Sequence, residues 1–304
     1  MRISRFAVLA FIPLFAIACS KTPETDAELA ARAGAPLFKG MGDYHRVIDT
    51  KDPGAQRYFD QGMVLAFGFN HAEAIRSFRA AQKLDPNCAM CFWGEALATG
   101  PNINVTAKGK AIMSPEEQVV AFKALENAVA LTNGKPDIER DLIQALTKRY
   151  APAPVDDRTA LDQAYATALG ELVKKYPSDD DIAAMYAEAW MNTMPWNYWS
   201  DSETPRPEIV PVIAALESTL ARSPKHPLAL HLYIHAMEAS STPQKAEAAA
   251  DTLYTLVPGS GHLVHMPAHI FWRVGRYNDA AEANVQAAKV DEKYIAACNA
   301  QGFY

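Results

Sequence analysis

No stretch of this 304-residue chain alternates apolar and polar residues with the period of two that a half-buried strand shows. Apolar positions recur at helical spacing instead. Leu230, Ile234 and Met237 form one set, and Val264, Ala268 and Phe271 another. The pattern predicts an all-α fold. Helices are expected over 137–150 and 159–176, with Pro152 and Pro154 breaking the chain between them. Pro177 ends the second of these, and further helices are expected over 181–192 and 209–222. A proline- and tryptophan-rich insertion, MPWNYWSDSETPRPE, lies between that last pair, and a loop over 101–114 interrupts an earlier one.

The helices follow a repeating register. Counting from Ala55, Gly62, Ala74, Phe78, Ala81 and Pro86 fall at positions 8, 20, 24, 27 and 32 of a unit. Ala96 takes position 8 of the next unit, and Ala121, Leu125 and Ala128 restart its second helix. Gly275, Tyr277 and Ala280 make a G-x-Y-x-x-A turn near the C-terminus. Pro258 follows Pro224 by 34 residues, and Glu292 follows by another 34, which is the length of a tetratricopeptide unit. These residues resemble the tetratricopeptide repeat over most of 55–301, strongly at both ends and loosely between. The resemblance implies an α-solenoid of stacked helix pairs over 41–304, with irregular central repeats and a concave groove. A helix expected over 293–301 has no partner before the chain stops at Tyr304. The pattern therefore reads as truncated there, or as completed by another chain.

Two histidine pairs repeat in the same register. His231 and His235 are four residues apart, as are His265 and His269, and each member recurs after 34 residues. In tetratricopeptide proteins the first helix of each unit lines the groove. The resemblance puts Leu230, Ile234, Met237, Val264, Ala268 and Phe271 on the packing stripe. It puts His231, His265, His235 and His269 on the groove stripe, with His262, Glu238, Asp181 and Glu188 beside them. Such a cluster suits a transition metal (zinc, copper or iron) rather than calcium or magnesium. His231, His235, His265 and His269 are the expected ligands, with Glu188, Glu238 and His262 completing or supporting the site. Groove histidines can also contact a peptide or pack in a helix seam. No H-E-x-x-H occurs, so a zincin-type protease is unsupported. Pro267 falls inside the second pair and threatens to turn His265 away. Trp196, Tyr198 and Trp199 read either as an aromatic wall of the groove or as packing for the insertion. His45 and His71 read as ordinary surface or capping residues.

The N-terminus changes the setting. Arg2 and Arg5 precede an apolar run over 6–18, too short for a stable membrane span and right for an export signal. The run ends Ala16-Ile17-Ala18-Cys19, which resembles a bacterial lipobox. That resemblance implies a lipoprotein signal peptide over 1–18, cleavage before Cys19 and lipidation of that residue. Ser20 in place of Asp implies the outer membrane, at its periplasmic face. Residues 19–40, polar and rich in small side chains, read as a flexible tether. An exported chain permits a disulfide, and Cys88 and Cys91 are the candidates. Buried free thiols and a metal or redox role remain alternatives. Phe92 stands where a c-type haem site needs His.

Net charge is −6, with no long basic tract, which argues against nucleic-acid binding. No glycine-rich phosphate loop appears, so no nucleotide is expected. The expected function is a lipid-anchored binding or scaffold module. It takes a protein or peptide in its groove, touches the membrane only through its anchor and carries a metal on its concave face. A metal-dependent enzyme using the same ion is one alternative, and a metal-free interaction module another.

Overall fold

The computed structural model describes residues 24–298. The fold is all-α. In chain order the helices are α1 (Asp26–Ala33), α2 (Pro53–Phe67), α3 (His71–Leu84), α4 (Ala89–Thr99), α5 (Pro115–Ala130), α6 (Asp137–Leu146) and α7 (Thr159–Lys175). They continue as α8 (Asp180–Thr193), α9 (Val210–Arg222), α10 (Pro227–Met237), α11 (Glu247–Leu256), α12 (Gly261–His265), α13 (Pro267–Arg273) and α14 (Tyr277–Cys298). The two interruptions each hold a small antiparallel hairpin that the sequence pattern did not show. β1 (Thr106–Ala107) pairs β2 (Lys110–Ala111), and β3 (Trp199–Asp201) pairs β4 (Thr204–Pro205). These strands are too short for alternation to register. Among the described residues, no helix is long and apolar enough to cross a membrane. The signal segment and Cys19 lie outside the described residues.

Local chemistry sets the helix limits. Asp52 caps α2 by accepting from the amides of Gly54 and Ala55, and Pro53 opens the helix where its missing N–H is not needed. Ser114 and Glu117 form a reciprocal capping box on α5. The His226 ring caps α10 by accepting from the Ala229 amide, again followed by a proline at the first position. Glu292 occupies the place that Pro224 and Pro258 hold in the preceding units. Nothing stops the chain there, and α14 runs straight through as one helix of 22 residues. The separate helix expected over 293–301 does not form among the described residues.

Many helices pack mainly on their sequence neighbours, as α2 does on α3, α3 on α4 and α4 on α5. Phe78 of α3 is fully buried and is gripped by two glycines. A Cβ at Gly62 would sit 2.8 Å from the Phe78 ring, and one at Gly94 would be closer still. That explains the small residue at position 8 of the first unit. Cys88 and Cys91 form a disulfide at the start of α4, with both side chains fully buried.

The first helix pair also meets the last ones. α2 contacts α10, the Gly259 amide donates to the Gly40 carbonyl at 2.9 Å, and the Tyr294 hydroxyl donates to Asn70 at 2.7 Å. Arg46 reaches Asp179 and Asp181 at the start of α8, at 3.1 and 2.7 Å. Arg46, Asp179 and Asp181 help to line a cavity of about 590 Å³, where Asp181 also meets His226. The tether expected over 19–40 is corrected over its second half. α1 is fixed by a Thr25–Glu28 capping box, buries Leu29 and Ala33, and is tied through Arg32 to Asp52 at 2.6 Å. Two apolar residues one turn apart suffice to dock this short helix on α3, although its surroundings in sequence are polar.

Candidate metal centre

Five imidazoles gather where α10, α12 and α13 meet the turn between α2 and α3. Every residue of α10 is buried, so its histidines must face either core or another ring. His231 and His235 lie one turn apart, with ring centroids 4.8 Å from each other. His262 enters from α12, its ring 4.9 Å from His231. Pro267 has no N–H to continue the helical bonding, and the helix is split there into α12 and α13. Met266 nevertheless keeps α-helical angles, φ −50° and ψ −40°. The chain therefore runs on in the same direction, and His265 stays beside His269 with the two Nε2 atoms 2.9 Å apart. Pro267 does not turn His265 away.

The cluster divides into two groups. His231, His235 and His262 each offer a ring nitrogen, and the three nitrogens lie within 4.8 Å of one another. Their residues are 0%, 2% and 6% exposed. Three buried histidines are thus close enough to hold a metal ion. His265 and His269 form a more open pair beside them.

Hydrogen bonds fix where the protons are. The Phe67 carbonyl can only accept, so His231 donates to it through Nδ1 at 2.6 Å and keeps a lone pair on Nε2. His262 Nε2 lies 3.2 Å from His231 Nε2 and donates to that lone pair. His235 donates through Nδ1 to Glu238 at 2.8 Å, and its buried Nε2 has no hydrogen-bond partner. Burial pulls the His235 imidazole below its usual value against the opposing pull of Glu238. Burial and then the neighbouring rings hold His231 and His262 well below theirs. Neutral imidazoles with lone pairs pointing inward are the state that metals bind. Burial would raise the Glu238 carboxyl, but hydrogen bonds from His235 and His269 outweigh it and hold it at about 2.

Aromatic walls close the group. Phe69 lies 4.6 Å from the His231 ring and 5.2 Å from His262. Trp196 stands edge-on to His235 at 4.9 Å, and its indole N–H donates to the Ile103 carbonyl at 2.7 Å. Phe69 and Trp196 both have positive φ, +55° and +64°. Bulky residues avoid that region, and it persists where surrounding structure overrules the local cost. Trp199 donates to the Ala236 carbonyl on α10, and Tyr198 is buried, so the insertion both packs and walls the site. A cavity of about 400 Å³ opens beside His262 and His265, lined also by Asn104, Asn284 and Asp291. Burial pushes the Asp291 carboxyl up to about 6. Gly261 permits this approach, because a Cβ there would collide with the Asp291 carboxylate.

The remaining candidates go elsewhere. Glu188 is drawn into a separate charged core, where burial raises its carboxyl and Arg149 opposes the shift. Arg149 and Arg158 share Asp162 there. Glu238 stands behind the imidazoles, with one oxygen on His235 and the other on His269. Asp181 pairs with Arg46 and His226. His45 meets Asp60 near the surface. His71 opens α3, and burial with a contribution from Arg149 lowers it to about 4. Phe69 and Asn284 carry no motif in the sequence. Only the contact between first and last helix pairs brings Phe69 to the site.

The chain matches no known protein-family model, and no curated protein matches it.

Proposed function

We propose that this protein binds a transition-metal ion, zinc being the first candidate and copper or iron the others, between His231, His235 and His262. The observation that carries the reading is the buried, unpartnered Nε2 of His235, facing two more ring nitrogens. A buried acceptor left bare costs about 1–3 kcal/mol, which a metal ion would recover. The spacing fits. With bonds of about 2.0–2.1 Å, the 3.2 Å between His231 and His262 subtends roughly 100° at the ion, near the tetrahedral angle. Both His231 and His235 have their far nitrogen held by an acceptor, which is how metal-ligating histidines are oriented. Burial of all three rings favours an ion over a peptide partner, which would need them open.

The ion would join α10 to α12 beneath the turn that leads from α2, and so fasten the first and last helix pairs. In this reading the chain is a tetratricopeptide-type solenoid, exported and lipid-anchored through Cys19, acting as a binding or scaffold module. The 34-residue spacings and the neighbour-on-neighbour packing support the repeat class. A second reading, a metal-dependent enzyme, is favoured by one observation. Three nitrogen ligands leave a fourth position, and the cavity lined by Asn284 and Asp291 adjoins His262.

Metal content of protein purified without a histidine tag and dialysed against zinc is the test. One ion per chain is expected, reduced to a small fraction by His235→Ala. Zinc content near zero in the unaltered protein removes both readings.

A further inference from the structure

We infer that His265 and His269 hold a second cation between their Nε2 atoms. The inference deepens the reading above and depends on it only for the class of ion.

Three hydrogen bonds place the hydrogen atoms around this pair. Asn284 donates through its amide nitrogen to the Ala280 carbonyl at 3.0 Å, which fixes the amide orientation. Its oxygen therefore faces His265 Nδ1 at 2.6 Å, and that nitrogen must carry a hydrogen. His269 Nδ1 lies 2.6 Å from the second oxygen of Glu238, whose first oxygen already accepts from His235 Nδ1. That nitrogen carries a hydrogen too. A ring whose one N–H is at Nδ1 has a bare lone pair at Nε2. The two Nε2 atoms face each other at 2.9 Å. Two acceptors at that distance repel unless a cation stands between or beside them.

That cation is a proton or a metal ion, and the surroundings favour metal. Glu238 grips one imidazole in each group, so one carboxylate orients ligands for both positions. Asn284 does the same for His265. At bonds of about 2.0–2.1 Å the 2.9 Å separation subtends roughly 90°, the angle between adjacent ligands in a square or octahedral shell. The cavity beside His265 leaves room for further oxygen donors. Across the groups, ring centroids lie 5.6 Å apart for His235–His269 and 6.0 Å for His262–His265. The two ions therefore share the cluster without sharing a ligand. A right-angled pair of nitrogens with open positions suits copper(II) or nickel(II) better than tetrahedral zinc.

The test is copper(II) titration of the full chain already loaded with zinc, followed by elemental analysis and electron paramagnetic resonance. The expected result is one copper per chain beside one retained zinc, with hyperfine structure from two nitrogens. His265→Gln/His269→Gln should lose the copper and keep the zinc. A melting curve of that variant matching the unaltered protein shows that it folds. If it does not fold, His269→Gln alone is read by the loss of one nitrogen from the spectrum. Zinc bound with no copper overturns this inference and leaves the first reading standing; the pair then holds a proton alone. Copper that survives the double substitution, or that displaces the zinc, also overturns it. Binding of neither metal overturns both.

Discussion

Glu238→Leu isolates the part of the metal centre that binds no metal. The carboxylate accepts from His235 Nδ1 at 2.8 Å and from His269 Nδ1 at 2.6 Å, and its side chain is 20% exposed. Leucine keeps roughly the volume and removes both acceptors. His235 Nδ1–H is then buried without a partner, at a cost of about 1–3 kcal/mol. Its proton is free to move to Nε2, which blocks the lone pair aimed at the ion. Loss of such an orienting partner weakens metal binding by about 10–100-fold, or roughly 1.4–2.7 kcal/mol. Glu238→Gln keeps one acceptor and should fall between the two. The assay is zinc competition against a chromophoric chelator at pH 7.5, with melting curves of the metal-free proteins to normalise for folding. A loss under threefold for Glu238→Leu refutes the orienting role. A loss far beyond a hundredfold would mean that Glu238 is itself a ligand.

Metal-free protein should be acid-sensitive. His231, His235 and His262 are held neutral, above all by burial, and take up protons near pH 6.5 once unfolded. Their contribution is fully present above that pH and is lost as pH falls through and below it, by up to about 1.4 kcal/mol per pH unit for each ring. Glu238, lowered to about 2, adds a loss in the same direction below roughly pH 4.5. Urea midpoints at pH 7.5, 6.5 and 5.5 read this, and a flat profile contradicts it. Leu29→Ala should cost about 2–5 kcal/mol by denaturation, since Leu29 is 1% exposed in α1; no change would return that segment to a tether. Gly94→Ala should cost about 1–3 kcal/mol by forcing Phe78 from its place, and a neutral result would mean that α3 and α4 separate freely. Cys19→Ala should release the protein from bacterial membranes and abolish fatty-acid labelling; continued labelling rules out the anchor.

Helix type and helix limits were legible because they depend on neighbours in sequence. Pro177 and Pro224 act within one turn. The sequence expected the last helix to break near 292, yet Glu292 sits where earlier units have proline, and α14 continues. The register also placed four histidines and Glu238 in one neighbourhood. It could not divide them, because a period shows which face a residue takes and not which rings touch. His262 joins His231 and His235, while His265 and His269 pair with each other. Glu188 shares the stripe but is claimed by Arg149, a partner 39 positions earlier in an irregular repeat. Phe69 was invisible for the same reason. Its place depends on contact between the two ends of the helical array.

That contact also changes what the histidine face can do. An open array of helix pairs would leave the stripe facing solvent, ready for a peptide. Here the Phe67 carbonyl bonds His231 and the Phe69 ring covers three of the imidazoles, so the first helix pair occupies the place a peptide would take. Burial then lowers the affinity of these rings for protons and leaves the His235 Nε2 lone pair without a hydrogen-bond partner. A buried site of neutral nitrogens is poor for recognising a polar chain and good for a cation that brings its own charge. The two unfavourable backbone conformations at Phe69 and Trp196 belong to this argument, since each places an aromatic ring against an imidazole. Contact between the first and last helices, with those rings in place, turns a surface of histidines into a buried cluster close enough to hold a metal ion.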